Sequence, residues 1–354
     1  MKRKIFVLGI SIVLFLTALI GCNSSAPKQT EKMEPGKAII VTRDNFIRAE
    51  TDMYFSGMVR DGMFGTMHHD REIAGVDNQP VIRYNREVLL STGLFDLSAG
   101  PVTITVPDPG KRFLSILVIN EDHYNPLAEF GGGTYTLSAE NTGTRYAAAV
   151  LRLFVNPDDP KDMAAAHALQ DSVKVSQPGG PGTFEIPNWD EASRKKVHES
   201  LLIEGKNIVD SKGSFGTKET VDPEKHLVAT ATGWGGNPES VAVYLNFSPE
   251  KNDGKTIYRL HVPANVPVDG FWSVAVYNAE GYFEKNPQNV YNINNVTAKK
   301  NADGSVDIQF GGYDGKTPNC IPIVDGWNYI VRLYRPRAEI INGTWKFPES
   351  QPVK

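Results

Sequence analysis

The sequence predicts a mainly β protein: two jelly-roll-like antiparallel β-sandwiches related by duplication, with an N-terminal helix and a helical segment between them. Three observations carry this. Phe113–Tyr124 and Phe271–Tyr282 share the pattern F-x-S-x-x-V-x-N-x-x-x-Y. Each is preceded by Val-Pro (Val106-Pro107, Val262-Pro263) and followed by Asn-Pro (Asn125-Pro126, Asn286-Pro287). Each half then closes on Arg-Leu-aromatic, Arg152–Phe154 and Arg332–Tyr334. The same elements in the same order, twice, are the mark of a duplicated domain.

The first residues read as an address. Lys2-Arg3-Lys4 is a basic region, Ile5–Ile20 is apolar and short for a span, and Leu19-Ile20-Gly21-Cys22 resembles a bacterial lipobox. Residues 1–21 are therefore expected to be a lipoprotein signal peptide and Cys22 the lipidated residue. The expected mature protein is anchored to the cell envelope rather than spanning a membrane. Asn23 in place of Asp favours the outer membrane, facing the periplasm, if the cell is Gram-negative. Residues 22–40 are Ser-, Pro- and Lys-rich, the composition of a tether. With Cys22 acylated, Cys320 has no disulfide partner, and its apolar surroundings predict a buried, inert thiol.

Net charge is −4, or −7 without Lys2, Arg3 and Lys4. A mildly acidic chain excludes the basic footprint of a nucleic-acid binder.

The element reading gives the boundaries. Val41–Gly62 is a helix capped by Thr42 or Asp44, with Phe46, Ala49 and Met53 on one face and Arg48 and Asp52 on others. With the strands that follow, it makes a first domain over 41–156. Val102–Val106 alternates cleanly, Asp108-Pro-Gly110 is a turn, and Phe113–Asn120, Thr134–Ser138 and Ala147–Val155 are strands. The segment 157–226 is helical: Asp159-Pro160 starts one helix and Asn188–Glu191 resembles a capping box for another. Strands return from Val228, placing the second sandwich at 227–354, with Thr256–Val262, Trp272–Tyr277, Ser305–Phe310 and Tyr329–Tyr334 the clearest. Trp345–Pro348 is a tail that packs back on this domain.

These residues resemble two families of unknown function. The first half is similar to domain of unknown function 1254 through Tyr84–Glu87, Asp96–Pro101, Val106-Pro107 and Asp162–Asp171. The second is similar to domain of unknown function 1214 through Phe271–Val274, Asn286-Pro287, Asp303–Ser305, Asn319–Pro322 and Arg332–Pro336. The resemblance implies a double sandwich of jelly-roll type and no agreed activity. The chain departs from the family at Glu87–Leu90, where Asp-Thr-Leu-Tyr is usual, and at Cys320, where Trp is usual.

Candidate chemistry is sparse. Glu121-Asp122-His123 ends the Phe113 strand, and an acid beside a histidine suits acid–base work. The second copy carries Ala279-Glu280-Gly281 instead, so the histidine is not demanded by the turn. Asn85-Arg86-Glu87 offers a planar donor fork for a carboxylate or a sugar diol, or else an ion pair. Trp234, in a glycine-rich loop, with Trp272 and Tyr277 could stack on a sugar ring. The repeated Asn120/Asn278 and Tyr124/Tyr282 read as scaffold. His68-His69 reads as an exposed loop. No metal or cofactor motif occurs: there is no P-loop, G-x-S-x-G or H-E-x-x-H.

Three functions remain open. The first is a module binding a glycan or small amphiphile between the sandwiches. The second is a hydrolase of glycan or amide bonds using Glu87, Glu121, Asp122 and His123. The third is an oligomeric envelope assembly protein, built as a homo-oligomer.

Overall fold

The computed structural model describes residues 36–79, 82–206 and 208–353. The signal-like segment, Cys22 and most of the tether lie outside them. No helix among the described residues is long and apolar enough to cross a membrane.

The first half contains β1 (His68–His69), β2 (Val88–Asp96), β3 (Val102–Val106), β4 (Leu114–Asn120), β5 (Leu127–Phe130), β6 (Gly133–Leu137), β7 (Tyr146–Phe154) and β8 (Lys174–Ser176). They form one sheet in the order β1-β2-β7-β4-β5 and a second in the order β6-β3-β8. The second half contains β9 (Ala242–Phe247), β10 (Tyr258–Val262), β11 (Trp272–Tyr277), β12 (Asn292–Asn294), β13 (Val306–Phe310), β14 (Cys320–Ile321), β15 (Asn328–Tyr334) and β16 (Gln351–Pro352). Its sheets run β12-β11-β15-β9 and β14-β13-β10-β16. Matching β2, β7, β4 and β5 to β9, β15, β11 and β12 superposes one strand order on the other. β6-β3-β8 likewise matches β13-β10-β16. The duplication seen in the sequence is thus a duplication of the whole antiparallel sandwich, with β13–β14 the parallel addition.

Residue patterns explain the layers. β3 alternates buried and half-buried positions, because one face looks into the sandwich. β4 is buried throughout. Its Leu114, Ile116 and Val118 enter the sandwich core with Val102 and Ile104, while Leu117 and Ile119 face Phe55, Tyr146 and Trp234 on the other side. A sheet covered on both faces reads as a continuous apolar run.

The cover is helical: α1 (Phe46–Arg60), α4 (Glu191–Gly205) and α5 (Pro223–Thr232) share a core of Phe46, Ala49, Leu201, Leu227 and Val228. The remaining helices are α2 (Ala139–Thr142), α3 (Pro160–Asp171) and α6 (Ala338–Ile341). In α3, Asp159 caps the end by accepting from the Lys161 N–H. The tail does pack back, Phe347 lying against Trp272.

Three local expectations are corrected. The segment from Val228 is the second half of α5, not a strand. Helix α1 begins at Phe46 after Asn45, so neither Thr42 nor Asp44 caps it. Asp52 is fully buried with Glu50 and Thr51, because α4 covers a face of α1 that a free amphipathic helix would expose. Cys320 is buried, as expected, and burial raises its thiol.

The two halves dock reciprocally. Phe113 and Phe271, equivalent residues, meet edge to face at 5.3 Å. Phe113 also packs on Tyr334 (5.2 Å), and Phe271 on Phe154 (4.6 Å), so each copy makes the other's contact. Arg152 donates to the Gly235 carbonyl (2.6 Å), just before β9, and Arg332 donates to the Arg83 carbonyl (2.7 Å), just before β2. Each sandwich therefore clasps the chain leading into its sister. Residue i meeting j while j meets i is the geometry of a two-fold interface, built inside one chain.

Candidate ligand-binding site

The repeated turns set the frame. Asn120 Oδ1 accepts from the Asp122 and Tyr124 N–H groups, and Asn278 Oδ1 accepts from those of Glu280 and Tyr282. The third residue of each turn is left-handed: His123 at φ 61°, Gly281 at φ 89°. A glycine accepts that φ freely; a histidine needs compensation. His123 obtains it from both ring nitrogens. Nε2 accepts from the Gly235 N–H (2.9 Å), so Nδ1 carries the proton and donates to Thr230 Oγ1 (2.8 Å). Burial, with His226 alongside, holds the ring well below the ordinary histidine value and so neutral.

Around it five rings stack in sequence. Tyr124 lies on His226 (4.8 Å), His226 on His123 (5.3 Å), His123 on Trp234 (5.5 Å) and Trp234 on Tyr54 (4.4 Å). Trp234 also donates from Nε1 to Thr51 Oγ1 (3.2 Å). Both of its faces are covered by protein.

Beyond Tyr54 lies a small pocket open to solvent, lined by Tyr54, Ile82, His198, Ala231, Gly233, Trp234 and Tyr282. It lies where the two clasped leads, Ile82–Arg83 and Gly233–Gly235, pass between the halves. Its polar wall starts from Glu50, fully buried on α1. Arg194 pairs with Glu50, and His198, one turn further along α4, donates from Nδ1 to Glu50 Oε1 (3.0 Å). A carboxylate only accepts, so Nδ1 carries a proton, and in the neutral ring the lone pair is on Nε2. Among the described residues nothing bonds to His198 Nε2, Tyr54 Oη or Tyr282 Oη. Burial, then Glu50, holds the Tyr54 phenol well above its ordinary value, so it stays a donor. A second, smaller pocket sits in the second sandwich behind Val276, Val290, Ile321 and Val324 and is largely apolar.

Residues 64–177 match the family described as Protein of unknown function (DUF1254), and residues 243–338 match the one described as Protein of unknown function (DUF1214). The chain pairs a DUF1254 domain with a DUF1214 domain. The VPA0106 protein of Vibrio parahaemolyticus has a similar crystal structure: 18% identity, 88% of this chain and 97% of that one covered, TM-score 0.67. An uncharacterized protein from Burkholderia cenocepacia is similar at 12% identity, over 88% and 87%, with a TM-score of 0.50. These likenesses support the fold alone. No curated protein matches the sequence. Tyr54, His198, Ala231, Gly233 and Trp234 fall outside both matched segments, so most of the cavity wall is contributed by the helices and leads around the two domains.

The structure does not gather the expected acid–base residues. In the DUF1254 half, Glu87 precedes β2 and its carbonyl accepts from the Val155 N–H, while Glu121 follows β4 and accepts from the Tyr146 N–H. Those partners lie at opposite ends of β7, roughly 30 Å apart at about 3.4 Å per residue. Paired glycosidase carboxylates sit within about 10 Å. Glu121 and Asp122 are held by Arg48, and both nitrogens of His123 are occupied.

The expected ligand contacts are also engaged within the protein. Asn85 donates to Tyr334 Oη (2.6 Å), and Arg86 bonds the Ala74 carbonyl and lies over the Tyr291 ring. In the DUF1214 half, Trp272 is core and Tyr277 Oη joins the Tyr84 carbonyl and Arg332. Trp234 alone of that set reaches the cavity, by its edge. His68 and His69 fall on the short edge strand β1, and no metal-holding group of three acids, histidines or cysteines occurs among the described residues. Glu50, Tyr54, His198 and Tyr282 escaped the sequence reading. The first three come from helices without a motif, and Tyr282 reads as scaffold in the sequence because Tyr124 repeats it.

Proposed function

We propose that this protein is an envelope-anchored lipoprotein, held to the membrane through Cys22, that binds a glycan or small amphiphile in the cavity between its two sandwiches. One observation carries the binding reading. His198, Tyr54 and Tyr282, contributed by the helical cover and the second sandwich, line one pocket, and among the described residues His198 Nε2 and both phenol oxygens have no protein partner. A hydroxylated ring would donate to the neutral imidazole and exchange hydrogen bonds with the phenols in place of solvent. The apolar walls from Ile82 and Ala231 suit the ring's carbon faces. Arg194 and Glu50 neutralise each other behind the wall, which favours an uncharged ligand.

The experiment is a glycan array probed with the full chain in detergent, followed by titration of the best ligand against Tyr282→Ala. Saturable binding weakened tenfold or more by the substitution supports the reading. Binding unaffected by Tyr282→Ala, or none across the array and a panel of small amphiphiles, refutes it.

A further inference from the structure

We propose that the same cavity is an ester-hydrolysing site in which His198 is the base and the Tyr54 and Tyr282 hydroxyls bind the oxyanion. This rests on the reading of the cavity as a ligand site and adds chemistry to it. The hydrolase expected from the sequence placed the chemistry on Glu87, Glu121, Asp122 and His123. None of those lines the cavity, and the groups that do come from elsewhere.

The assembly is built from helix geometry. Arg194 and His198 are four residues apart on α4 and both reach Glu50 on α1. Glu191 grips Arg194 through two bonds of 2.7 Å, which fixes the guanidinium that in turn fixes Glu50. Glu50 then determines which nitrogen of His198 is bare, as an orienting carboxylate does for a catalytic histidine. Phe46 packs against the ring at 6.1 Å and limits its rotation. Tyr54 follows Glu50 by one turn on α1 and faces the same cavity. The titratable groups facing His198 are Glu50 and Tyr54 from α1, Arg194 and Glu191 from α4, and Tyr282 from the second sandwich; α5 presents Ala231, which is apolar.

The reaction balances without any added reagent. His198 Nε2 takes a proton from water as its oxygen bonds to the ester carbonyl carbon. The carbonyl oxygen, now negative, accepts hydrogen bonds from the Tyr54 and Tyr282 hydroxyls. Collapse breaks the bond from carbon to the alcohol oxygen, which leaves with the proton returned from His198. One ester and one water become one acid and one alcohol. Glu50 is a positioning residue, acting through His198.

The probe is p-nitrophenyl acetate with the full chain. Saturable release of p-nitrophenolate is expected, lowered a hundredfold or more in His198→Gln, the range of a general base. Tyr282→Phe is expected to lower kcat roughly tenfold or more with KM little changed. Glu50→Gln is expected to lower kcat with KM little changed, and Glu50→Asp to restore part of it; a merely structural role would lower the folded fraction and leave kcat per folded molecule in place. Turnover no faster than in His198→Gln overturns the proposal. Quenching of tryptophan fluorescence by p-nitrophenol separates the two ideas. Saturable quenching without turnover removes the chemistry and leaves the ligand site standing. No turnover, with no binding across the glycan array and the amphiphile panel, removes both.

Discussion

His123 and Gly281 occupy the same left-handed corner of two copies of one turn; the histidine ties its corner to the rest of the molecule through its ring, the glycine only through its carbonyl, which accepts from the Arg83 N–H (2.8 Å). Gly281 meets the φ requirement with no side chain. His123 meets it with a ring that joins the first sandwich to α5 through Thr230 and to the lead into β9 through Gly235. A strained backbone is retained where its side chain is worth more than the strain.

Substitution at the two corners should therefore diverge. Gly281→Ala adds a Cβ whose nearest neighbour is Ile82 Cβ at 3.5 Å, an ordinary contact, so its cost is the left-handed φ alone, about 1–2 kcal/mol. His123→Ala leaves the Gly235 N–H buried and unpaired and opens a cavity beside Trp234, a loss of about 3–5 kcal/mol. His123→Gly should be about 1 kcal/mol less harmful than His123→Ala, because it relieves the backbone. Urea unfolding midpoints of the three variants check this order.

Asp52 makes stability depend on pH. Burial pushes its carboxyl from 3.8 up to about 6, against the hydrogen bond from Trp189 Nε1, which favours the charged form. A raised acid holds its proton more tightly folded than unfolded, so its contribution is fully present below 3.8 and falls as pH rises toward 6. Asp52→Asn keeps an oxygen for Trp189 and removes the charge. The variant should match the parent near pH 3 and exceed it at pH 7 by about 2–3 kcal/mol, at ~1.4 kcal/mol per pH unit. Urea melts across that range decide the matter.

The clasping arginines should not be equivalent. Arg332 is buried and bonds the Arg83 carbonyl and Tyr277 Oη, with the buried Glu87 carboxyl close by. Arg332→Met strands that carboxyl and the carbonyl, and should cost about 3–5 kcal/mol. Arg152 is half-buried and bonds only Gly235 and Asn237, so Arg152→Met should cost about 1–2 kcal/mol and speed proteolysis at Gly233–Asn237. Denaturant midpoints and a proteolysis time course measure the two effects.

The proposed lipidation at Cys22 predicts that Cys22→Ser abolishes labelling by a fatty-acid analogue and releases the protein from the membrane fraction. On the proposed reading one acylation site carries the anchor, so the loss should be near complete.

Much of the scaffold was legible because its signals are local. Val102–Val106 alternates, Asp159-Pro160 announces a helix, and the repeat aligns β4 with β11 before any coordinates. Helix α5 was missed because Val-Ala-Thr-Ala-Thr is rich in β-branched residues, although Asp222-Pro223 repeats the start signal of Asp159-Pro160. The site was harder for a physical reason. Glu50 and His198 are brought together by helix packing across 148 positions, which no spacing rule encodes. Trp234 was visible as an aromatic in a glycine loop, but only the structure shows Tyr54 and His123 covering its two faces. Tyr282 was hidden by its own repetition: Tyr124 spends its ring on His226, while Tyr282, 36% exposed, turns its ring to the cavity.

The reciprocal clasp has a consequence for how the chain comes off the ribosome. The lead Ile82–Arg86 is made first, and Arg332, which holds it through the Arg83 carbonyl, follows 249 residues later. The first sandwich must wait, its entry segment unsecured, until its sister is complete. Neither copy is then a finished object on its own. A truncated first half should emerge sticky at Phe113 and Phe154, and co-expressing the missing half as a separate chain should rescue it, as two subunits of a dimer rescue one another.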